Sequence, residues 1–163
     1  MDISSQRDNK GMRDIIFRAK QVDTGEWRYG SLALIAYSDT YIVDRRRRLV
    51  PVDDPEKWGG SSHLFAEPEV FTVRRETVGE FTGLVDQNGR QVFEGDYCCL
   101  TRFAVLAYGI IAFRNGCFWF VETAIYEEGK RNCVRLCDLD VNGFKIEVKG
   151  NIHDNPKLAE VGL

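Results

Sequence analysis

The sequence predicts a mainly β, β-rich α+β protein built from antiparallel hairpins, and three observations support this. Aromatic residues make up 12% of the 163 residues, and Phe, Tyr and Trp favour pleated, half-buried surfaces. Asn-Gly pairs at 88–89 and 115–116 lie between apolar runs, where they are strong hairpin signals because both residues tolerate positive φ. From Phe144 to Lys149, apolar and charged residues alternate strictly, which predicts a strand with one buried face.

The N-terminal region begins with a polar segment, and residues 1–12 are expected to be a disordered tail. Residues 13–163 are then expected to form a single domain. Residues 13–22 and 26–29 predict a first hairpin around the turn signal Asp23-Thr24-Gly25. The apolar, β-branched stretch 32–43 predicts one or two further strands.

The segment 44–68 is predicted to be the longest irregular loop of the fold. It begins with Asp44 and contains four consecutive arginines, three prolines and the flexible run Gly59-Gly60-Ser61-Ser62. Long loops with this composition vary most among related proteins and often carry function. The arginines are Arg45, Arg46, Arg47 and Arg48.

The C-terminal half predicts a denser set of hairpins. Residues 84–93 predict a strand, a turn and a return strand, followed by the tight corner Glu94-Gly95-Asp96. Residues 105–123 predict a second, more apolar hairpin. A Gly corner that enters apolar strands is common in small barrels, so residues 78–152 are expected to curl into an SH3-like, partly open barrel.

The final segments are predicted to be short. Residues 132–139 fit helical and strand spacing about equally, and a short helix or turn is preferred. Asn155 is a good N-cap and Pro156 suits a first helical position, which predicts a C-terminal helix from 156 to about 161.

Charge and hydropathy exclude several classes of protein. The net charge is −3 and the pI is about 5.5, which argues against a dedicated nucleic-acid binder. Residues 1–14 contain no apolar segment typical of a secretory signal. The most apolar stretch, 103–113, is too short to span a bilayer. A cytoplasmic protein without a membrane partner is therefore expected.

Candidate chemical groups are few, and no enzymatic activity or cofactor is predicted. The chain has two histidines, His63 and His153, and neither lies in a local catalytic signature. Cys133 and Cys137 could share one helical face, but structural zinc needs four ligands. No phosphate-binding glycine motif is present. All five cysteines are expected to be reduced core or near-core residues.

Four stretches of the sequence resemble the YopX family of phage and prophage proteins. The residues that carry the resemblance are Arg13–Ala19, Gly25–Leu32, Val78–Asp96 and Val148–Pro156. The third is the most specific, since it contains Thr82-Gly83-Leu84, Asp86-x-Asn88-Gly89 and Glu94-Gly95-Asp96. The resemblance implies a phage-derived gene and self-assembly, and it implies no catalytic residues.

Two functions follow as expectations. The first is a non-enzymatic accessory protein that forms a homo-oligomer or binds a phage or host protein. It is expected because Trp119 faces away from Phe118 and Phe120 in a strand, so both faces of the strand need cover. The alternative is nucleic-acid binding, in which Arg45, Arg46, Arg47 and Arg48 contact phosphates.

Overall fold

The computed structural model describes residues 15–35, 39–50, 65–103, 105–124, 132–139 and 143–158, with the backbone alone at 45–50 and 65–67. Within these residues the chain forms eleven strands. In chain order they are β1 Phe17–Lys20, β2 Trp27–Ile35, β3 Asp39–Val50, β4 Phe65–Thr72, β5 Gly79–Val85, β6 Gln91–Phe93, β7 Asp96–Arg102, β8 Val105–Arg114, β9 Cys117–Glu122, β10 Cys133–Arg135 and β11 Lys145–Asn151.

The strands form two antiparallel sheets, which confirms the mainly β prediction. The first sheet has six strands in the order β4-β3-β2-β1-β5-β6, and the second has five in the order β10-β9-β8-β7-β11. The expected SH3-like barrel over residues 78–152 is wrong. A barrel needs its outer strands to pair with each other, whereas β10 and β11 lie at opposite edges of the second sheet. In addition, β5 and β6 belong to the first sheet.

The predicted irregular loop at 44–68 is also wrong at both of its ends. β3 continues to Val50 and β4 begins at Phe65, and the two strands pair with Arg47 opposite Pro68 and Arg48 opposite Glu67. The register of the two strands shifts between Val43 and Arg47, and regular pairing resumes at Arg47. Pro68 is tolerated because β4 is an edge strand, where a missing N–H breaks no ladder. Residues 51–64 lie outside the described residues, as does the predicted tail 1–12.

No complete C-terminal helix from 156 to about 161 is found in the described residues, in which only Lys157 and Leu158 are helical. After β11 the chain makes consecutive tight turns, in which the N–H groups of Asp154 and Asn155 donate to the carbonyl of Asn151. The Asn151 side chain also accepts from the N–H of His153. The carbonyl of Asn155 then accepts from the N–H of Leu158 at 3.0 Å. Residues 159–163 lie outside the described part of the chain.

The two Asn-Gly turns differ in geometry. Asn115 and Gly116 both have positive φ, 52° and 78°, as the two-residue turn between β8 and β9 requires. At the other turn Gly89 has a φ of 78°, and the N–H of Asn88 donates to the Asp86 carboxylate. The second turn is therefore stabilised by a side chain rather than by Asn at positive φ.

The main core lies on one face of the second sheet. Phe118 and Phe120 are both buried there, as their alternation with Trp119 predicts. Trp119, on the other face, is half-buried. Its indole N–H donates to the carbonyl of Arg114, and the Arg135 guanidinium lies 5.7 Å from the ring centroid. Residues of the same chain therefore cover part of the face on which Trp119 lies.

Candidate functional site

The predicted arginine site, Arg45–Arg48, is described by its backbone alone. The backbone of Arg45–Arg48 lies in β3, at the part of the first sheet where only β3 and β4 pair. This places the run in a two-stranded ribbon rather than in the flexible loop expected from the sequence. The prediction that these arginines contact nucleic acid is not tested by that placement.

The most unusual polar group is an ion pair between the two sheets. Arg18 of β1 and Asp96 at the start of β7 are joined at 2.6 Å, with side-chain exposures of 4% and 0%. The same Asp96 oxygen accepts from the Asn151 amide at 3.3 Å, and the other accepts from the N–H of Phe93 at 2.8 Å. Asp96 therefore has a buried positive charge and two further donors that compensate for its loss of water.

Two aromatic rings lie against the Arg18 guanidinium. Its centre lies 4.7 Å from the ring centroid of Trp27 and 4.7 Å from that of Phe93. The Nε–H of Arg18 is buried and has no hydrogen-bond acceptor among the described residues. Stacking against two rings compensates in part for this missing partner, because a ring face attracts a cation. The sequence did not single out Arg18; the available signal was a lone arginine within the apolar run of β1.

A more exposed set of groups surrounds this buried pair. Lys20 forms an ion pair with Asp154 at 2.6 Å, and the Trp27 indole N–H donates to the same carboxylate at 3.0 Å. Burial alone would raise the pKa of Asp154, but the hydrogen bonds from Lys20 and Trp27 outweigh it and the net pKa is lowered. The turn after β11 is thus fastened to the first sheet.

His153 and Glu94 line one shallow cleft beside the ion pair, and the two have opposite pKa shifts. Burial, followed by the positive charges of Arg18 and Lys20, lowers the pKa of His153. Burial also raises the pKa of Glu94. Both groups are therefore shifted toward their neutral forms. The structure places His153 half-buried, with its ring edge-on to that of Trp27.

A second buried carboxylate also joins the two sheets. Asp86, in the turn between β5 and β6, accepts from the N–H groups of Asn88 and Arg90 within its own turn. Its other oxygen accepts from the N–H of Val148 in β11 at 3.0 Å. Burial opposes ionisation, yet these three donors together lower the pKa of Asp86. The two aspartates of the best-matched segment, Asp86 and Asp96, therefore both fasten the first sheet to the second.

The cysteines differ in burial, which corrects the expectation that all five are core or near-core residues. Cys98 and Cys99 are buried, Cys117 is half-buried, and Cys133 and Cys137 are exposed. Burial raises the pKa of Cys98 strongly. Cys133 and Cys137 lie on either side of the step from β10 to a 3-10 turn at Leu136–Asp138. Among the described residues, no three His, Cys, Asp or Glu side chains are grouped so that they could hold a metal ion.

Exposed apolar side chains are grouped at the end of the β7–β8 hairpin. Phe103, Val105 and Leu106 are 86%, 69% and 57% exposed; we call these three residues the hairpin patch. Phe103 has a φ of +45°, a conformation that is unusual for a bulky residue. Behind the patch lies an apolar groove of about 360 Å³. It is lined by Leu100, Arg102, Phe103, Val105, Ala107 and Phe144.

Comparison with known proteins gives a family but no molecular role. A sequence model of the family described as YopX protein matches residues 16–160. No curated protein matches the chain significantly, and no solved structure does so. In the part of the chain that the structure describes, no helix is both long and apolar enough to cross a membrane.

Proposed function

The chain belongs to the YopX protein family, and we propose that it is a non-enzymatic, phage- or prophage-derived accessory protein that acts through self-assembly. The observation that carries this proposal is the hairpin patch, Phe103, Val105 and Leu106, which is exposed at the end of the second sheet. Isolated apolar residues on a surface are ordinary, but contiguous ones mark sites of association.

The hairpin patch has apolar side chains on both faces of the sheet. Val105 pairs with Arg102 and Leu106 pairs with Thr101, and successive residues of a strand face opposite ways. Val105 therefore lies on the face that carries Leu100 and the groove, while Leu106 lies on the other. A partner that covers this end of the sheet would bury both.

A second copy of this chain suits the surface because the projecting residue and the groove lie side by side. In a two-fold arrangement the same patch meets itself, so each hairpin end can pack into the groove of the other copy. Phe103 is the natural anchor, since a large, exposed aromatic ring gains most from entering an apolar pocket. Arg102 lies 5.2 Å from the Phe103 ring and 5.0 Å from that of Phe144, so it forms the charged rim of the contact.

Light scattering on the full chain, over a micromolar to submillimolar concentration range, tests the proposal. We expect a discrete oligomer, which the double variant F103N/L106N converts to monomer. A wild-type chain that stays monomeric throughout this range would contradict self-assembly. If the chain is a monomer and binds a phage or host protein through the hairpin patch, that protein is the partner and a second copy is not.

A second candidate is nucleic-acid binding through Arg45–Arg48. The observation that favours it is their position in the two-stranded ribbon of β3 and β4, because a β-ribbon fits the major groove of DNA. Glu67, opposite Arg48, and the net charge of −3 weigh against it. A shift assay at low salt with single- and double-stranded DNA and RNA decides the question. Binding that is lost when all four arginines are changed to serine would establish this function.

A further inference from the structure

The register of β9 and β10, continued beyond their last pair, would place two cysteines opposite one another. Val121 pairs with Cys133 and Trp119 pairs with Arg135, so the next pair on the same face would be Cys117 with Cys137. The N–H of Glu122 donates to the carbonyl of Asn132, which marks 122 and 132 as a hydrogen-bonded pair. Hydrogen-bonded pairs alternate with non-hydrogen-bonded pairs along the ladder, so Cys117 and Cys137 would face each other at a non-hydrogen-bonded position.

Non-hydrogen-bonded positions suit a covalent bridge. There the Cα atoms of facing residues are about 4.5 Å apart, inside the range that a disulfide spans. In this structure the 3-10 turn begins at Leu136, one residue before Cys137, and both thiols are free. The ladder therefore ends at Trp119 and Arg135, and the turn holds Cys137 outside the last formed pair.

An independent observation places both thiols at one cavity. Cys117 and Cys137 line the same open cavity of about 320 Å³, together with Leu84, Phe118 and Leu136. The Cys117 thiol contacts the carbonyl of Arg114 at 3.7 Å, and the Cys137 thiol contacts the Asp138 carboxylate at 3.5 Å. These are weak contacts at the surface, so both sulfur atoms are accessible to a reagent in solvent.

The other cysteines lack this combination. Cys98 and Cys99 are buried in β7, and a buried thiol in apolar surroundings is inert. Cys133 is exposed, but its partner across the ladder is Val121. Among the five cysteines, accessible thiols that line one shared cavity are thus particular to Cys117 and Cys137.

We propose that Cys117 and Cys137 form a dithiol site that reacts with small-molecule disulfides. One cysteine, as its thiolate, attacks the disulfide RSSR, forms a mixed protein–SR disulfide and releases RS⁻. The second thiolate then attacks the protein sulfur of that mixed disulfide and releases the second RS⁻. The protein loses two hydrogens and the small disulfide gains them as two RSH. The new bond links the 3-10 turn to the β8–β9 hairpin across the mouth of the cavity.

Peptide mapping of the full, native chain after incubation with glutathione disulfide tests this site, which is independent of the proposed self-assembly. The wild-type chain is expected to lose two hydrogens in mass and to yield a cross-linked peptide joining 117 to 137. The variants C117S and C137S are expected to stop at the mixed disulfide with glutathione.

C133S is the matched control, because it removes an exposed cysteine only four residues from Cys137. It is expected to form the 117–137 link as rapidly as the wild-type chain. Each variant is first compared with the wild type by circular dichroism, so that loss of the link is not loss of the fold. A wild-type chain that keeps glutathione on Cys137, or that links through Cys133, would overturn the proposal.

Discussion

Arg18 and Asp96 form a buried ion pair at 2.6 Å that connects β1 of the first sheet with β7 of the second. A pair of this kind is not by itself a source of large net stability, because both charges lose their water. Its geometry is nonetheless specific. Asp96 accepts from three donors, and rings of Trp27 and Phe93 cover the Arg18 guanidinium. The pair therefore defines how the two sheets meet.

Changing Asp96 to Asn is expected to lower the free energy of unfolding by about 3–5 kcal/mol, because it leaves the Arg18 charge buried without a counter-charge. Changing Arg18 to Met should cost a similar amount. The double variant R18M/D96N is expected to lose less than the sum of the two, since neither charge is then left alone. Urea unfolding of the four proteins measures the coupling.

The control for that cycle is Glu26→Gln, which removes one partner of the exposed Arg28–Glu26 pair, whose acid is 65% exposed. It is expected to cost less than about 1 kcal/mol, as exposed pairs do. Additive losses in R18M/D96N would show that the pair has no specific role at the junction of the sheets.

Changing Gly109 to Ala is expected to destabilise the second sheet by about 1–3 kcal/mol through overpacking. A Cβ at this position would lie 2.4 Å from the Val121 carbonyl oxygen and 2.6 Å from the Phe120 ring. Gly150→Ala is the matched control, because the nearest atom to its Cβ is 4.0 Å away. Thermal unfolding followed by circular dichroism compares them, and equal midpoints would contradict the packing shown for β8 and β9.

The stability of the fold is expected to depend on His153 as the pH falls below about 6.5. Because the pKa of His153 is lowered in the fold, the unfolded chain binds this proton more readily. The contribution of His153 to the free energy of unfolding is therefore complete above that pH, and it is lost as the pH falls toward the folded-state pKa. The variant H153N should show a shallower loss in urea titrations between pH 7.5 and pH 5.

As the pH falls, Glu94 is expected to change the stability of the fold in the opposite direction to His153. Its pKa is raised in the fold, so the folded chain binds the proton more readily, and this group adds stability as the pH falls toward the unfolded value of about 4.3. The variant E94Q should lose that gain and therefore denature more steeply on acidification than the wild type. Parallel curves for wild type, H153N and E94Q would contradict both assignments.

Changing Phe103 to Asn is expected to weaken self-association without lowering the unfolding midpoint. Asn adopts positive φ more readily than Phe, and the replaced ring is 86% exposed. Leu34→Asn is the control, because Leu34 is 59% exposed but belongs to β2 of the first sheet rather than to the hairpin patch. Sedimentation velocity at matched concentrations measures both variants. An equal loss of association in L34N would assign the oligomer to general surface hydrophobicity.

Local patterns predicted the hairpins well, because their signals lie within a few residues. The alternation from Phe144 to Lys149 became β11, and Asn115-Gly116 became a turn with both residues at positive φ. The barrel was wrong because closure depends on which distant strands become neighbours. No local pattern shows that β11 pairs with β7, or that β6 joins the first sheet.

The ribbon at Arg45–Arg48 and the Arg18–Asp96 pair were missed for different physical reasons. Consecutive charges and nearby prolines are typical of loops, yet strand pairing with β4 outweighs that preference at the edge of a sheet. Arg18 looked like an ordinary charged residue in a strand. Its burial depends on Asp96, which lies 78 residues later in the chain, and single-sequence patterns do not report such pairings.

The place of β11 beside β7 has a consequence for the order of events during synthesis. Asp96 meets Asn151 across 55 residues, and β7 has no neighbour on that side until Lys145–Asn151 has left the ribosome. Until then β7 is an open edge, with Cys98 and Leu100 of the later core unprotected. The second sheet can therefore be completed only after β11 has been translated, and we expect the open edge of β7 to favour aggregation until then.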